Sequence, residues 1–488
     1  MSVRVRYAPS PTGLQHIGSV RTALFNYLFA RSQQGKFILR LEDTDRTRFS
    51  EAYVENLYAT FKWLGFYWAE GPDIGGPSAP YIQSERLSLY QRYAQELVAN
   101  GHAYYCFCAD KRAQQNDQAS EEGEDSGGFG YPRTCRSLDP VEAQRRADSG
   151  EPCVIRLKIP LDGTTVFDDL LLGTIEWKNV DINPDPVLLK SDGFPTYHLA
   201  NVIDDHFMEI THILRAQEWI SSTPLHILMY KAFGWDIPKL CHLPMVLGSD
   251  GHKLSKRHGA TAVNEFRKKG YLPEALVNYV ALLGASYKDG QDIYSLEELA
   301  ENFSIKHLNK APAVFDYVKL EWFNGQYIRM KTDDELAALL MPFMVEAELL
   351  ADNDDGRIFM KKAVPLIKER LKYLSDAPLM LAFVFKDIPA LANEELIPKK
   401  QDAAGTAKLL LTAKELLLAH GVAEHDVIEH AFREKAEALG CKLGDMLMPL
   451  RMAVTGTKIS PPLFESIALI GIEKACVRID AAVRQLQQ

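Results

Sequence analysis

Val3, Val5 and Tyr7 alternate with Arg4 and Arg6 in the two-residue period of a half-buried strand, and the pattern ends at Pro9-Ser10-Pro11-Thr12-Gly13. Proline cannot donate to a strand ladder, so the chain must leave the sheet there. After Gly18 apolar residues return at helical spacing, as Ala23, Leu24, Tyr27 and Leu28, and Phe37-Ile38-Leu39-Arg40-Leu41 reads as a second, parallel strand. Together these make a βαβ unit. Open α/β sheets bind ligands beyond the carboxyl ends of their strands, which puts His16 and Gly18 where a nucleotide phosphate would meet a helix N-terminus.

The chain has 488 residues, enough for roughly three to five domains. No apolar run approaches the ~18 residues of a membrane span, and Met1-Ser2-Val3-Arg4 opens no signal peptide, so a cytoplasmic protein without a membrane role is expected. A formal net charge of -10 argues against indiscriminate polyanion binding. Any nucleic-acid contact must come from local basic surfaces. Lys361, Lys362, Lys368, Arg370 and Lys372 are one candidate, with a solvated helix face as the plain alternative. Seven cysteines, an odd number, speak against a disulfide framework.

Residues 1–100 alternate strands and helices, with Tyr53, Leu57 and Leu64 on one helical face before Gly65. Residues 101–192 change character and read as an insertion holding a cysteine cluster, strand-like Val154 to Ile159, and a polar loop from Asn116 to Gly130. The acidic, Ser- and Gly-rich loop has too little apolar area to offset chain entropy and is expected to be mobile. The α/β pattern resumes over 193–258, so the core is split in sequence. Beyond 259 the reading is mostly helical, with Leu276, Tyr279, Val280 and Leu283 at one spacing and Leu336, Leu339, Leu340 and Phe343 at another. Residues 259–325 form one helical segment and 326–488 a second helical region with a boundary near 390–400.

Lys253-Leu254-Ser255-Lys256-Arg257 is by itself a basic surface turn, as His16 is by itself a loop histidine. Taken with their neighbours they say more. Pro9 to Ser19, with His16-Ile17-Gly18 at its centre, resembles the first signature of class I aminoacyl-tRNA synthetases, and Lys253 to Arg257 resembles the second, in the form usual for glutamyl-tRNA synthetases of the bacterial type. Arg40 to Asp45, Gly193 to Asn201 and Leu214 to Trp219 follow in that family's order, and the resemblance runs from about Val3 to Ile470. It implies a Rossmann-type nucleotide fold of class I, an inserted α/β acceptor-binding domain, and an all-α anticodon-binding region after a helical stem-contact segment. The implied substrates are ATP with Mg2+, L-glutamate and tRNA-Glu, and a monomer is the usual form.

By matching motifs the resemblance gives His16, Lys253 and Lys256 the catalytic roles, and surrounds ATP with Pro9, His16, Gly18, Glu218, Trp219 and the loop Lys253, Leu254, Ser255, Lys256 and Arg257. Charge stabilisation is what such a reaction needs, since phosphoryl-type transfer leaves little covalent work for side chains. Arg215 and Arg6 are the implied partners of the glutamate side chain, with Tyr197 beside them; Glu42 would meet the ammonium group, and Ala8, Ser10 and Asn201 line the same pocket. Guanidinium groups suit a carboxylate and reject glutamine by leaving charge uncompensated. Leu41 and Leu214 read as core, an exposed strand arginine is the plain alternative for Arg6, and a carboxylate at a helix start is the plain alternative for Glu42. Gln15 and Ser19 depart from the family's usual residues, yet neither removes a charge, so modest effects are expected.

Cys106, Cys108 and Cys135 with Tyr131 supply three thiols and a phenol. Zinc prefers thiolates in closed structural sites, although tyrosine is an uncommon fourth ligand. The pattern resembles a zinc knuckle found in some members of the family; three free thiols are the alternative. Arg370 aligns with a family arginine that favours discrimination between tRNA-Glu and tRNA-Gln. A glutaminyl-tRNA synthetase would lack the arginine at 215 and end in β-barrels, a glutamyl-queuosine tRNA synthetase would lack the region after Gly259, and a silent tRNA-binding relative would have lost His16, Lys256 or Arg215.

Overall fold

A computed structural model describes all residues except 1, 46, 109–130, 288–289, 389–390, 400, 423–424 and 459. The loop from Asn116 to Gly130 therefore lies outside the described residues. Two compact units are present, one made of 1–266 and 276–317, the other of 267–275 and 318–488. No helix among the described residues is long and apolar enough to cross a membrane.

The first unit opens with strand β1 (Arg4–Tyr7), helix α1 (Ile17–Ser32) and strand β2 (Lys36–Leu39), and β1 and β2 pair in parallel from Arg4 opposite Lys36 to Tyr7 opposite Leu39. The βαβ expectation holds, with the second strand starting one residue before Phe37 and ending two before Leu41: Arg40 still donates its N–H to the Tyr7 carbonyl, while Leu41 bridges to Ile82. Helices α2 (Glu51–Leu64) and α3 (Leu87–Ala99) follow, and Gly65 ends α2 at φ 80°, a left-handed cap that favours glycine. Strand β3 (Ala103–Cys106), helix α4 (Pro140–Asp148), strands β4 (Val154–Leu157), β5 (Thr164–Asp169), β6 (Gly173–Lys178) and β7 (Val187–Leu189) come next. Helix α5 (Tyr197–Phe207), strand β8 (His212–Ala216), helix α6 (Thr223–Phe233) and strand β9 (Lys239–Leu243) complete the part that positions the site.

β3, β4 and β7 form an antiparallel sheet over an apolar core shared with α3, α5 and α6, including Tyr90, Leu97, Ile155, Leu188, Leu199 and Met229. β5, although it lies in the inserted stretch, joins a second sheet in the order β6-β5-β9-β8, pairing in parallel with β9 through Asp169 opposite Leu240. β8 and β9 run parallel from Ile213 opposite Leu240 to Ala216 opposite Leu243. α1 is tied to this sheet by Asn26, whose amide donates to the Leu214 carbonyl at 3.0 Å.

The helix expected through Leu283 is Pro273–Ala281. Its last turn tightens, with the Leu283 N–H bonding to the Val280 carbonyl, and Gly284 at φ 83° ends it. In the second unit every element is helical among the described residues. Asp333–Glu346 starts from a Thr332/Glu335 capping box, and Ala403–His420, His425–Ala438, Leu443–Thr455, Leu463–Ile470 and Ile472–Leu486 close a core of Leu410, Leu417, Phe432, Leu450, Phe464 and Ile479.

Candidate active site

A crevice of about 1280 Å3 in the first unit gathers residues from six separate places in the chain. Arg6, Ala8, Pro9 and Ser10 enter from the end of β1 and the turn after it, His16 and Gly18 from the start of α1, and Glu42 from just past β2. Tyr197 and Asn201 come from α5; Arg215, Glu218 and Trp219 come from the end of β8 and the 3-10 turn Gln217–Ser222; Lys253, Leu254, Ser255 and Lys256 form another wall. Arg257 is outside the lining and instead meets Asp250 Oδ2 at 3.1 Å. Leu41 and Leu214 are buried, as expected of core, although Leu214 also lines the crevice.

His16 is the cap of α1. Its Nδ1 accepts the Ser19 N–H at 3.3 Å, and Ser19 Oγ accepts the His16 N–H at 3.1 Å. With Nδ1 occupied as an acceptor, the proton of the neutral ring sits on Nε2. Burial, then the charge of Lys253, hold the imidazole below its ordinary pKa of 6.5. A Cβ on Gly18 would stand 3.3 Å from Cε1 and Nδ1 of that ring, so the glycine sets how closely the helix start packs on it. Gln15 is buried, and its side-chain oxygen accepts from the Tyr7 hydroxyl at 2.8 Å. No local sequence pattern signals that contact, which joins residues of the strand and of the turn after it.

The loop before Lys253 is a tight turn. Gly248 N–H bonds to the His252 carbonyl and Gly251 closes the turn at φ 76°. Asp250 meets His258 Nε2 at 2.9 Å. A hydrogen bond from His258, then one from the His252 N–H, hold the Asp250 carboxyl down to about 2. The Ser255 carbonyl accepts the His258 N–H at 2.9 Å at the start of the turn Lys256–His258. Lys253 pairs with Glu218 across the crevice, and Lys256 is exposed.

The two arginines of the expected glutamate pocket have different company. Arg6 is 4% exposed and grips Asp205 with two bonds, Nε to Oδ1 at 2.9 Å and Nη2 to Oδ2 at 3.1 Å. Its alternation in β1 suggested exposure, but all four residues of that strand are buried. Arg40 joins the same cluster, reaching Asp205 Oδ1 at 2.7 Å and Glu42 Oε1 at 3.0 Å. Arg86 donates to Asp204 Oδ1 at 2.7 Å. Burial raises the Glu42 pKa against the pull of Arg40. Arg215, 5% exposed, is paired with no carboxylate among the described residues; its contacts include His242, His226, Thr223, the Trp219 carbonyl and the Tyr197 side chain. Tyr197 lies over Trp219 with ring centres 4.2 Å apart. Asp205, His226 and His242 were not singled out in the sequence, because no spacing links them to the arginines they hold.

In the inserted stretch the three thiol sulfurs of Cys106, Cys108 and Cys135 lie within 4.8 Å of one another. Cys108 and Cys135 are 3.4 Å apart, and Cys106 is 3.0 Å from the Tyr131 hydroxyl. The Arg156 guanidinium lies 3.9 Å from the Tyr131 ring centre. Three sulfurs at this mutual spacing and a phenol alongside fit a closed tetrahedral ion. In the second unit, Arg370 sits exposed on the turn Lys368–Arg370 and donates to the Leu366 carbonyl at 3.4 Å. The basic run around it is not one helix face: Asp354–Ile367 ends before Lys368, and Lys361, Lys368 and Lys372 pair with Asp334, Asp333 and Glu321.

Residues 2–322 match the family described as tRNA synthetases class I (E and Q), catalytic domain, and residues 335–483 match an anticodon binding domain. A glutamate–tRNA ligase of Treponema denticola is 56% identical over 507 aligned positions, covering 99% of this chain and 100% of that protein. One from Borreliella burgdorferi is 50% identical, covering 99% of this chain and 98% of that protein. Among solved structures, a glutamate tRNA ligase from Elizabethkingia meningosepticum in complex with its amino acid superposes with a TM-score of 0.88 at 35% identity, covering 100% of both chains.

Proposed function

This chain belongs to the class I tRNA synthetases of the glutamate and glutamine kind, and from that premise we infer that it is a glutamate–tRNA ligase. It activates L-glutamate with ATP to glutamyl-adenylate, releasing pyrophosphate, and transfers the glutamyl group to the 3'-terminal adenosine of tRNA-Glu, releasing AMP. The observation that carries the site reading is that Arg215 and Lys253, 38 positions apart in sequence, line the same crevice as His16 and Glu42. A carboxylate-binding charge and a phosphate-binding charge thereby share one cavity.

In the first step the glutamate α-carboxylate attacks the α-phosphorus and pyrophosphate leaves, so negative charge grows on the phosphate oxygens. His16 Nε2–H is the donor for one such oxygen, with Gly18 keeping the ring and helix start close together. Lys253 and Lys256 stabilise the leaving pyrophosphate, while Leu254, Ser255 and Arg257 hold the loop that carries them. Pro9, Glu218 and Trp219 flank the nucleotide. On the amino-acid side, Arg215 and Arg6 with Tyr197 receive the side-chain carboxylate, Glu42 meets the ammonium group, and Ala8, Ser10 and Asn201 close the pocket. Magnesium accompanies ATP, as in class I synthetases generally.

Residues 1–100 and 193–258 form the catalytic halves in this reading, 101–192 grips the acceptor end, 259–325 contacts the stem, and 326–488 reads the anticodon, where Arg370 discriminates tRNA-Glu from tRNA-Gln. Cys106, Cys108, Cys135 and Tyr131 would hold a structural zinc that braces the inserted stretch. A cytoplasmic monomer is the form expected. The deciding experiment is direct: purified protein with ATP, glutamate and tRNA-Glu must release pyrophosphate and yield glutamyl-tRNA. Failure to charge any tRNA would refute the reading. Metal analysis of the same preparation tests the zinc, and competitive charging of tRNA-Glu and tRNA-Gln by Arg370→Gln tests the anticodon residue.

A further inference from the structure

Among the described residues the hydrogen-bond partners of the Arg215 guanidinium are uncharged groups, the Tyr197 side chain among them. Nε bonds to His242 Nε2 at 3.0 Å, Nη1 to His226 Nδ1 at 3.1 Å, and Nη2 to Thr223 Oγ1 at 2.8 Å and the Trp219 carbonyl at 3.4 Å. Guanidinium nitrogens only donate, so each of these two histidine nitrogens must present a lone pair. The proton of His242 is therefore on Nδ1, which lies 2.7 Å from Asp169 Oδ2 and donates to it. The proton of His226 is on Nε2, which lies 3.0 Å from His198 Nδ1 and donates there. One arginine thus dictates the tautomers of three neutral imidazoles. Burial keeps all three from charging: it pushes His198 down to about 4, drives His226 well below its ordinary value, and lowers His242 against the opposing effect of its hydrogen bond to Asp169.

The contrast with the neighbouring arginines is sharp. Arg6 pairs with Asp205, Arg40 with Glu42 and Asp205, and Arg86 with Asp204, so three guanidinium groups meet three carboxylates. A carboxylate in the place of His242 would hold Arg215 as firmly, but it would set a negative charge against the substrate's own carboxylate in a desolvated pocket. An imidazole lone pair gives the directional bond without the charge. Asp169 stands one ring further back, where it fixes the His242 tautomer and accepts the Leu171, Leu172 and His242 backbone N–H groups.

We propose that Asp169, His242 and His226 form a tautomer-locked brace that orients Arg215 while leaving its charge uncompensated, which makes His242 and His226 the specificity-determining positioning residues for the glutamate side chain. The inference rests on Arg215 being the side-chain partner, as read above. Binding glutamate rather than glutamine then depends on residues that never touch the substrate.

The test compares His242→Leu with His242→Gln, and His226→Leu with His226→Asn, in full-length enzyme charging tRNA-Glu, with Arg215→Ala alongside. Each leucine removes the acceptor, whereas the amide oxygen of Gln or Asn can take the arginine N–H in its place. Each leucine variant should raise the glutamate KM about tenfold or more while the ATP KM stays within about twofold, and each amide variant should return the glutamate KM to within about threefold of wild type. Thermal unfolding of each variant reports folding, and a failure to fold at one position leaves the other to decide. A glutamate KM unmoved by either leucine, with Arg215→Ala inactive, overturns the brace and spares the pocket reading. Equal losses in the leucine and amide variants, or a parallel rise in ATP KM, also overturn it. An Arg215→Ala enzyme with ordinary glutamate KM overturns both.

Discussion

Glu70 is a carboxylate with four donors and almost no water. Arg4 gives it Nη1 at 2.7 Å and Nη2 at 2.9 Å, Lys36 gives Nζ at 3.0 Å, and the Tyr81 hydroxyl lies at 2.6 Å, while the residue is 1% exposed. Arg4 is in β1 and Lys36 in β2, so this one side chain clamps the two strands whose far ends deliver Arg6, Ala8 and Glu42 to the crevice. Burial works to raise its pKa, but the hydrogen bonds from Arg4, Tyr81 and Lys36 win and lower it from 4.5 to about 2. At 1.36 kcal/mol per pH unit that fall corresponds to about 3 kcal/mol of folding stability at neutral pH. The sign follows from a depressed folded value: the contribution is complete above the unfolded pKa near 4.5 and is lost as pH falls toward about 2. At pH 3 about 1.4 kcal/mol should remain. Glu70→Gln, followed by urea unfolding at pH 7 and pH 3, should therefore cost about 3 kcal/mol at the first and less than about half of that at the second. An equal cost at both pH values would show that Glu70 acts by packing alone, and a cost under about 1 kcal/mol at pH 7 would show that the clamp is not what holds β1 to β2.

Gln15→Leu should leave turnover within about tenfold but cost about 1–3 kcal/mol of stability, because the buried Tyr7 hydroxyl loses its acceptor; urea unfolding separates the two. Gly18→Ala forces a Cβ to within 3.3 Å of the His16 ring and should lower kcat about tenfold with glutamate KM unchanged. The lowering of the His16 pKa has two causes, burial first and Lys253 second. Lys253→Met should accordingly move the acid limb of the kcat/KM profile upward toward 6.5, and an unmoved limb would detach His16 from that limb.

Short contiguous patterns carried most of what the sequence could reveal. The end of β1 was legible because prolines stop a strand wherever they stand, and α1 because its periodicity is local. The two signatures could be matched for the same reason. The polar lining behind them could not. Arg6 reaches across 199 positions to Asp205, Arg4 across 66 to Glu70, and His242 across 73 to Asp169, and nothing in local spacing encodes such pairs. The alternation of β1 leaves an exposed strand arginine as the alternative for Arg6, whereas partners on other strands and helices bury both faces of the strand. The Leu283 end of its helix failed similarly, since a spacing of apolar residues continues past the point where Gly284 turns the chain.

The three ways in which the crevice holds its cations match what each cation must do. Lys253 and Glu218 are both well exposed at 62% and 44% of their side-chain surface. A pair of that kind is worth about 0–1 kcal/mol, so in the reading proposed above phosphate oxygens draw Lys253 away at little cost. Arg6 and Asp205 are at 5% and 0%, and removing one partner of such a buried pair costs about 3–5 kcal/mol. Arg6 therefore stays where the fold puts it and, in the reading proposed above, meets the substrate carboxylate with its charge already shared with Asp205. Arg215 is held as rigidly, yet by neutral acceptors, so it alone of these three joins fixed position to available charge. A substrate carboxylate gains most from that combination, because the orientation is set before it arrives and the field it meets has not been spent on an internal partner. On this reasoning selectivity for an acidic side chain resides in the difference between Asp205 behind one arginine and His242 behind the other.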